Sequence, residues 1–158
     1  MRHIFIFLLI VMLSPISWGA DLGKGLGAYQ KGDYATALRE WTPFAEQGNA
    51  IAQYGLGVIY NKGMGVEKNP TEAMKWYRKA AEQGHASAQV KLGIMYLLDE
   101  GVIMDAVYSH MWLNIALSNG AENAGKVIEI AAKKLTPQQL ERAQQLAREC
   151  VAKDYKGC

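Results

Sequence analysis

Ala45-Glu46-Gln47-Gly48-Asn49-Ala50-Ile51-Ala52-Gln53-Tyr54-Gly55-Leu56-Gly57-Val58-Ile59-Tyr60 returns 36 residues later as Ala81-Glu82-Gln83-Gly84-His85-Ala86-Ser87-Ala88-Gln89-Val90-Lys91-Leu92-Gly93-Ile94-Met95-Tyr96. The same step takes Ala37 to Ala73, Gly65-Val66 to Gly101-Val102, Trp76 to Trp112, Ala80 to Ala116 and Gly84 to Gly120. So many matches at one offset mark an internal repeat. Within each copy the spacing is helical. Ala52, Leu56 and Tyr60, and again Ala88, Leu92 and Tyr96, lie four apart and share one helix face. Ala73, Trp76, Tyr77, Ala80 and Ala81 form the apolar stripe of a second helix. Gly57 and Gly93 cost about 1 kcal/mol each relative to alanine inside a helix. Their common repeat position implies that a neighbouring helix comes close there. Gly48, Gly84 and Gly120 are expected to end helices in the left-handed conformation. Asn69-Pro70-Thr71-Glu72 reads as N-cap, first-turn proline and carboxylate, and Thr136-Pro137-Gln138-Gln139 gives a similar signal for the last helix. No stretch beyond residue 20 alternates as a strand would. The chain reads as all-α.

These residues resemble the Sel1-like repeat, a variant of the tetratricopeptide repeat. The family pattern is A-x-A-Q-x-x-L-G-x-x-Y-x-x-G-x-G-V, a loop, and then A-x-x-W-Y-x-x-A-A-x-Q-G. This chain supplies Ala50, Ala52-Gln53, Leu56-Gly57, Tyr60, Gly63, Gly65-Val66, Ala73, Trp76-Tyr77, Ala80-Ala81 and Gln83-Gly84. The next unit keeps Ala86, Ala88-Gln89, Leu92-Gly93, Tyr96, Gly101-Val102, Trp112, Ala116 and Gly120. It departs at Asp99, Ser109 and Leu113, where the first copy has Gly63, Ala73 and Tyr77. The resemblance spans about residues 22 to 151. In front, Ala28-Tyr29-Gln30-Lys31-Gly32-Asp33-Tyr34-Ala35-Thr36-Ala37-Leu38 looks like the tighter tetratricopeptide turn. Behind, the period fades: one step beyond Gly93 is Glu129, and one beyond Tyr96 is Ala132. Terminal units of a solenoid decay in this way into caps. The implied architecture is a short right-handed α-solenoid of about eight helices in antiparallel pairs, with no sheet. Its units are 21–48, 49–84, 85–120 and a capping segment 121–158.

Residues 1–20 carry Arg2, an apolar run from Ile4 to Leu13, Ser14-Pro15 and small residues before Asp21, as a cleaved secretory signal does. The run is shorter than the roughly 20 residues needed to span a bilayer. Cleavage after Gly19 or after Ala20 both remain open. An exported protein, periplasmic or secreted and without a membrane span, is the expectation. The full chain of 158 residues has net charge +2, with seventeen basic and fifteen acidic residues. Loss of Arg2 brings it nearer neutrality, which gives no electrostatic case for nucleic acid or anionic lipid. Cys150 and Cys158 would meet an oxidising compartment, where one disulfide is the only pairing. Closing so short a loop is worth about 2.5 kcal/mol on the chain-entropy estimate. The competing reading, a metal or redox pair, lacks C-x-x-C spacing and a nearby histidine.

There is no H-E-x-x-H, C-x-x-C, G-x-S-x-G or phosphate-loop sequence. Gly23-Lys24-Gly25-Leu26-Gly27 reads as a flexible entry to the first helix. His85 reads as an exposed loop residue, and His110, in the place of Met74, as a packed or partly exposed residue rather than a ligand. Asp99, Glu100 and Asp105 lack calcium-loop spacing and read as a solvated turn. Trp41, Trp76 and Trp112 fall on second helices as core residues. No cofactor is implied. Some secreted, cysteine-rich relatives are associated with β-lactamase activity. This chain lacks S-x-x-K, S-D-N and K-T-G, and also lacks their cysteine pair in every repeat.

What remains is a surface. The resemblance implies that the first helix of each pair lines a concave face, with Tyr54, Val58, Asn61, Val90, Ile94 and Leu97 pointing outward. Their apolar character fits either a groove for a peptide or protein segment, or burial beneath the caps. The expected function is a non-catalytic interaction module, monomeric, acting as an exported adaptor or regulator. The alternative is an enzyme, or an enzyme accessory, acting on cell-wall material or β-lactams.

Overall fold

The computed structural model describes residues 20–98 and 104–158. The expected signal segment and the loop residues Asp99, Glu100, Gly101, Val102 and Ile103 lie outside them, apart from Ala20. Eight α-helices run in order: α1 Leu22–Gln30, α2 Tyr34–Glu46, α3 Ala50–Lys62, α4 Pro70–Ala81, α5 Ala86–Leu98, α6 Ala106–Ser118, α7 Gly125–Ala132 and α8 Pro137–Ala152. A 3-10 turn, Glu122–Ala124, precedes α7, and no strand occurs among the described residues. From α1 to α7 each helix packs on the next, whereas α8 passes over α7 and returns to α6. The result is a helical solenoid.

Helix boundaries follow short polar caps, and the caps themselves repeat. Asn49 Oδ1 accepts from Ala52 N (2.9 Å), and one period later His85 Nδ1 accepts from Ala88 N (3.2 Å). Asn69 Oδ1 accepts from Glu72 N (2.9 Å), and one period later Asp105 caps α6 through Val107 N and Tyr108 N. Asp105 is therefore spent on its helix rather than on an acidic cluster. His85 is not the exposed loop residue expected from its neighbours: it is half-buried and starts α5. Thr136 and Gln139 form a reciprocal capping box on α8. Gly48, Gly84 and Gly120 have φ of 95°, 80° and 89°, the left-handed conformation expected of them. The glycine-rich stretch Gly23–Gly27 also departs from expectation. It is helical, because Asp21 Oδ1 accepts from Lys24 N and starts α1 immediately after residue 20. Buried Glu40 fastens α1 to α2. It bonds Lys24 Nζ (3.0 Å) and the Asp21 amide (3.1 Å), and the Lys24 bond holds its carboxyl below the ordinary range against the opposing effect of burial.

The core is a chain of three clusters rather than one ball. Trp41, Leu56 and Ile59 centre the first; Tyr77, Leu92, Met95 and Trp112 the second; Val90, Leu97, Leu113 and Ala131 the third. Glycines set the helix spacing. A Cβ on Gly57 would lie 2.5 Å from the Tyr77 ring, and one on Gly93 would lie 2.5 Å from Leu113 Cγ. Leu113 stands one period beyond Tyr77, so the same approach recurs with a smaller side chain. Trp76 is only half-buried, with Lys79 Nζ 4.3 Å from its ring centroid, whereas Trp112 is fully buried.

A ladder of side-chain amides joins the repeats. Buried Gln53 donates from Nε2 to Ala45 O (2.9 Å) and accepts at Oε1 from Gln83 Nε2 (2.7 Å). One period on, buried Gln89 donates to Ala81 O (3.1 Å) and accepts from Asn119 Nδ2 (3.0 Å). One further period reaches Tyr155, whose hydroxyl donates to Asn119 Oδ1 (3.1 Å) and closes the series. Asp154 and Tyr155 hold positive φ of 53° and 64°, a region that non-glycine residues seldom occupy. The Cys150–Cys158 disulfide closes the loop containing both.

Two expectations follow. Gly57→Ala gains about 1 kcal/mol of helix propensity but overpacks against Tyr77, which typically costs about 1–3 kcal/mol; chemical denaturation should therefore show a net loss of stability. His85 and His110 are both pushed below the usual 6.5 by burial. The unfolded chain takes up those protons first as pH falls, so stability is complete above about 6.5 and declines below it. The double variant H85N/H110M restores the residues found one repeat earlier, Asn49 and Met74. Its melting temperature should vary less with pH than wild type between about pH 7 and 5, and an unchanged slope would refute the assignment.

Candidate binding cleft on the first-helix face

Second helices turn their apolar stripes inward, so the remaining faces of α1, α3 and α5 are left to meet solvent or caps. On this side an open cleft of about 390 Å³ lies beside α3. Its floor is aromatic. The Trp41 ring lies between two glycines: a Cβ on Gly25 or Gly55 would fall 2.5 or 2.7 Å from it. Trp41 Nε1 donates to Leu22 O (3.2 Å), so the ring is fixed by a hydrogen bond as well as by packing. Tyr29 lies 5.6 Å from Trp41, and Tyr54 lies 5.8 Å from Tyr77, by ring centroids. His85 stacks on Tyr54 at 4.8 Å, which adds to its capping role. Burial raises the Tyr54 phenol above its ordinary range.

The six candidate face residues divide into two groups. Tyr54, Val58 and Asn61 line the cleft, together with Leu26 and Ile51, the latter 67% exposed. Val90 and Leu97 are buried, at 7% and 4% exposure, and Ile94 is half-buried against the same cluster. That cluster includes Ala124, Ala131, Val127 and Ile128, so the 3-10 turn and α7 cover the later half of the face. Val90, Ile94 and Leu97 therefore belong to a capped core rather than to an open groove.

Polar groups at the cleft were harder to anticipate. Asn61 Oδ1 is buried and has no hydrogen-bond partner among the described residues. Lys62 and Lys91 line the cleft, and neither makes an ion pair among the described residues. Their positions are not equivalent in the repeat, so no periodic signal ties them together. A second depression, about 340 Å³, lies between α6 and α8 and is lined by Ile115, Ala147, Arg148 and Val151 among others. The described residues contain no group of three or more potential metal ligands, and none of their helices is long and apolar enough to cross a membrane.

A family model described as the Sel1 repeat matches residues 50–85 and 86–120. No curated protein matches the chain. Among solved structures, a protective antigen of uropathogenic Escherichia coli strains with an SLR fold is similar at TM-score 0.76 and 32% identity, over 83% of this chain and 30% of that one. A Sel1 repeat protein from Oxalobacter formigenes is similar at TM-score 0.68 and 29% identity, over 82% of this chain and 55% of that one. The chain thus spans only about a third to a half of the length of these relatives. Sel1 repeats are in general protein–protein interaction modules. Two consecutive repeat matches, set within the helix pairs and amide ladder described above, show that residues 50–120 of this chain are two Sel1 repeats.

Proposed function

We propose that this chain is a non-catalytic, exported adaptor or regulator that holds a segment of a partner protein in the cleft beside α3. One observation carries the reading: the repeat face is covered by α7 at one end, but at the other it leaves an apolar floor in which Tyr29 and Tyr54 are half-buried and Leu26 and Ile51 are exposed. Burying such a floor stabilises a complex by about 25 cal/mol per Å² of apolar area removed from water, before the costs of association. Rigid aromatic side chains serve this well, since little conformational freedom is lost on binding. The Cys150–Cys158 pair and the apolar opening segment support export. The absence of every catalytic motif sought in the sequence favours binding over turnover of cell-wall material or β-lactams.

A photo-crosslinking residue placed at Ile51, on the exposed rim, tests this in cells, with the same residue at Val151 as control. A discrete adduct should form from Ile51. Val58→Glu in the same chain should weaken it about tenfold or more, equivalent to about 1.4 kcal/mol, with helical content retained. Because Val58 is partly packed, Leu26→Glu serves as a second, exposed variant and should act likewise. Adducts from Val151 alone, or indifference to both substitutions, would overturn the proposal. So would turnover of muropeptides or a chromogenic β-lactam that is abolished by one polar substitution.

A further inference from the structure

We infer that the segment held in the cleft is a peptide that pairs a bulky apolar side chain with acidic residues. This rests on the reading of the cleft as the binding site and adds the chemistry of its occupant. Size comes first. At about 390 Å³ the cleft lies near the lower end of ligand pockets, roughly 300–1,000 Å³, which suits one or two side chains rather than the whole face of a helix. Its floor of Tyr29, Trp41, Tyr54 and Val58 offers those side chains apolar and aromatic contact.

Charge comes second, and it points one way. The charged side chains lining the cleft are Lys62 and Lys91, and no carboxylate lines it among the described residues. Lys62 and Lys91 make no ion pair among the described residues. In a chain whose net charge is only +2, a lining with two cations and no carboxylate is a local excess of positive charge. Opposite charge on the partner would satisfy both lysines and fix its direction along the cleft.

Three labelled synthetic peptides of one apolar core test the inference against the folded, oxidised chain. Each carries a phenylalanine–leucine pair, flanked by glutamates, by glutamines or by lysines, and binding is read by fluorescence anisotropy and by amide shifts along α3. The glutamate peptide should bind about tenfold or more tightly than the glutamine peptide, a difference of about 1.4 kcal/mol. Added salt should narrow the gap. The double variant K62E/K91E should reverse the order in favour of the lysine peptide. Equal binding of all three at the cleft would overturn the charge inference while leaving the cleft as a binding site. If no peptide shifts α3 amides and Val58→Glu changes nothing, both the inference and the binding reading fall.

Discussion

The buried amides of Gln53 and Gln89 are the constraint on which the rest of the stack depends. Each sits where water cannot reach it, at 3% and 0% exposure, so each must find protein partners or destabilise the fold by about 1–3 kcal/mol. Each finds them in two directions. The amide N–H reaches back to the last turn of the preceding second helix, and the carbonyl takes a side chain from the end of the following one. A hydrophobic stripe alone would tolerate sliding of one helix pair over the next. Paired hydrogen bonds of fixed length do not, and they set one register for the whole solenoid. Tyr155 ends the series from within the disulfide loop, at a positive φ that non-glycine residues seldom adopt.

That register decides which surface is left for function. Tyr77 and Leu113 come close to Gly57 and Gly93, which brings second helices tight against first helices and turns the opposite first-helix face outward. The same face then meets two different fates. Near α5 the 3-10 turn and α7 fold over Val90, Ile94 and Leu97 and convert them to core. Beside α3 no cap arrives among the described residues, and Trp41, packed between Gly25 and Gly55, becomes the floor of an open cleft. A single repeat surface therefore serves as packing at one end and as a place to bind at the other.

Much of this was legible from residues. The period of 36, the first-turn prolines and the terminal glycines placed six of the eight helices with their partners, because these signals are local and repeat. What escaped did so for physical reasons. α7 falls where the period has faded, so nothing in the pattern showed that it would cover Ile94. The glycine-rich start reads as flexible until Trp41, distant in sequence, is seen to need the space. Tyr155 does lie one period beyond Asn119, as Asn119 does beyond Gln83. Yet the side chain changes from amide to amide to phenol, and only the shared hydrogen-bonding capacity links them. Lys62 and Lys91 occupy different repeat positions, so no periodic signal shows that both line the cleft. His85 looked like a loop residue because histidine is an uncommon cap, although its equivalent, Asn49, is a common one.

The most direct measurement is a double-mutant cycle on Gln89 and Asn119, read by equilibrium denaturation of Gln89→Leu, Asn119→Ala and the pair. If the ladder couples successive repeats, the two losses should fall short of additivity by about 0.5–3 kcal/mol, because either substitution alone already breaks the shared bond. Losses that add within about 0.3 kcal/mol would show that the amides are bystanders to apolar packing, and the account of how this solenoid holds its register would be contradicted.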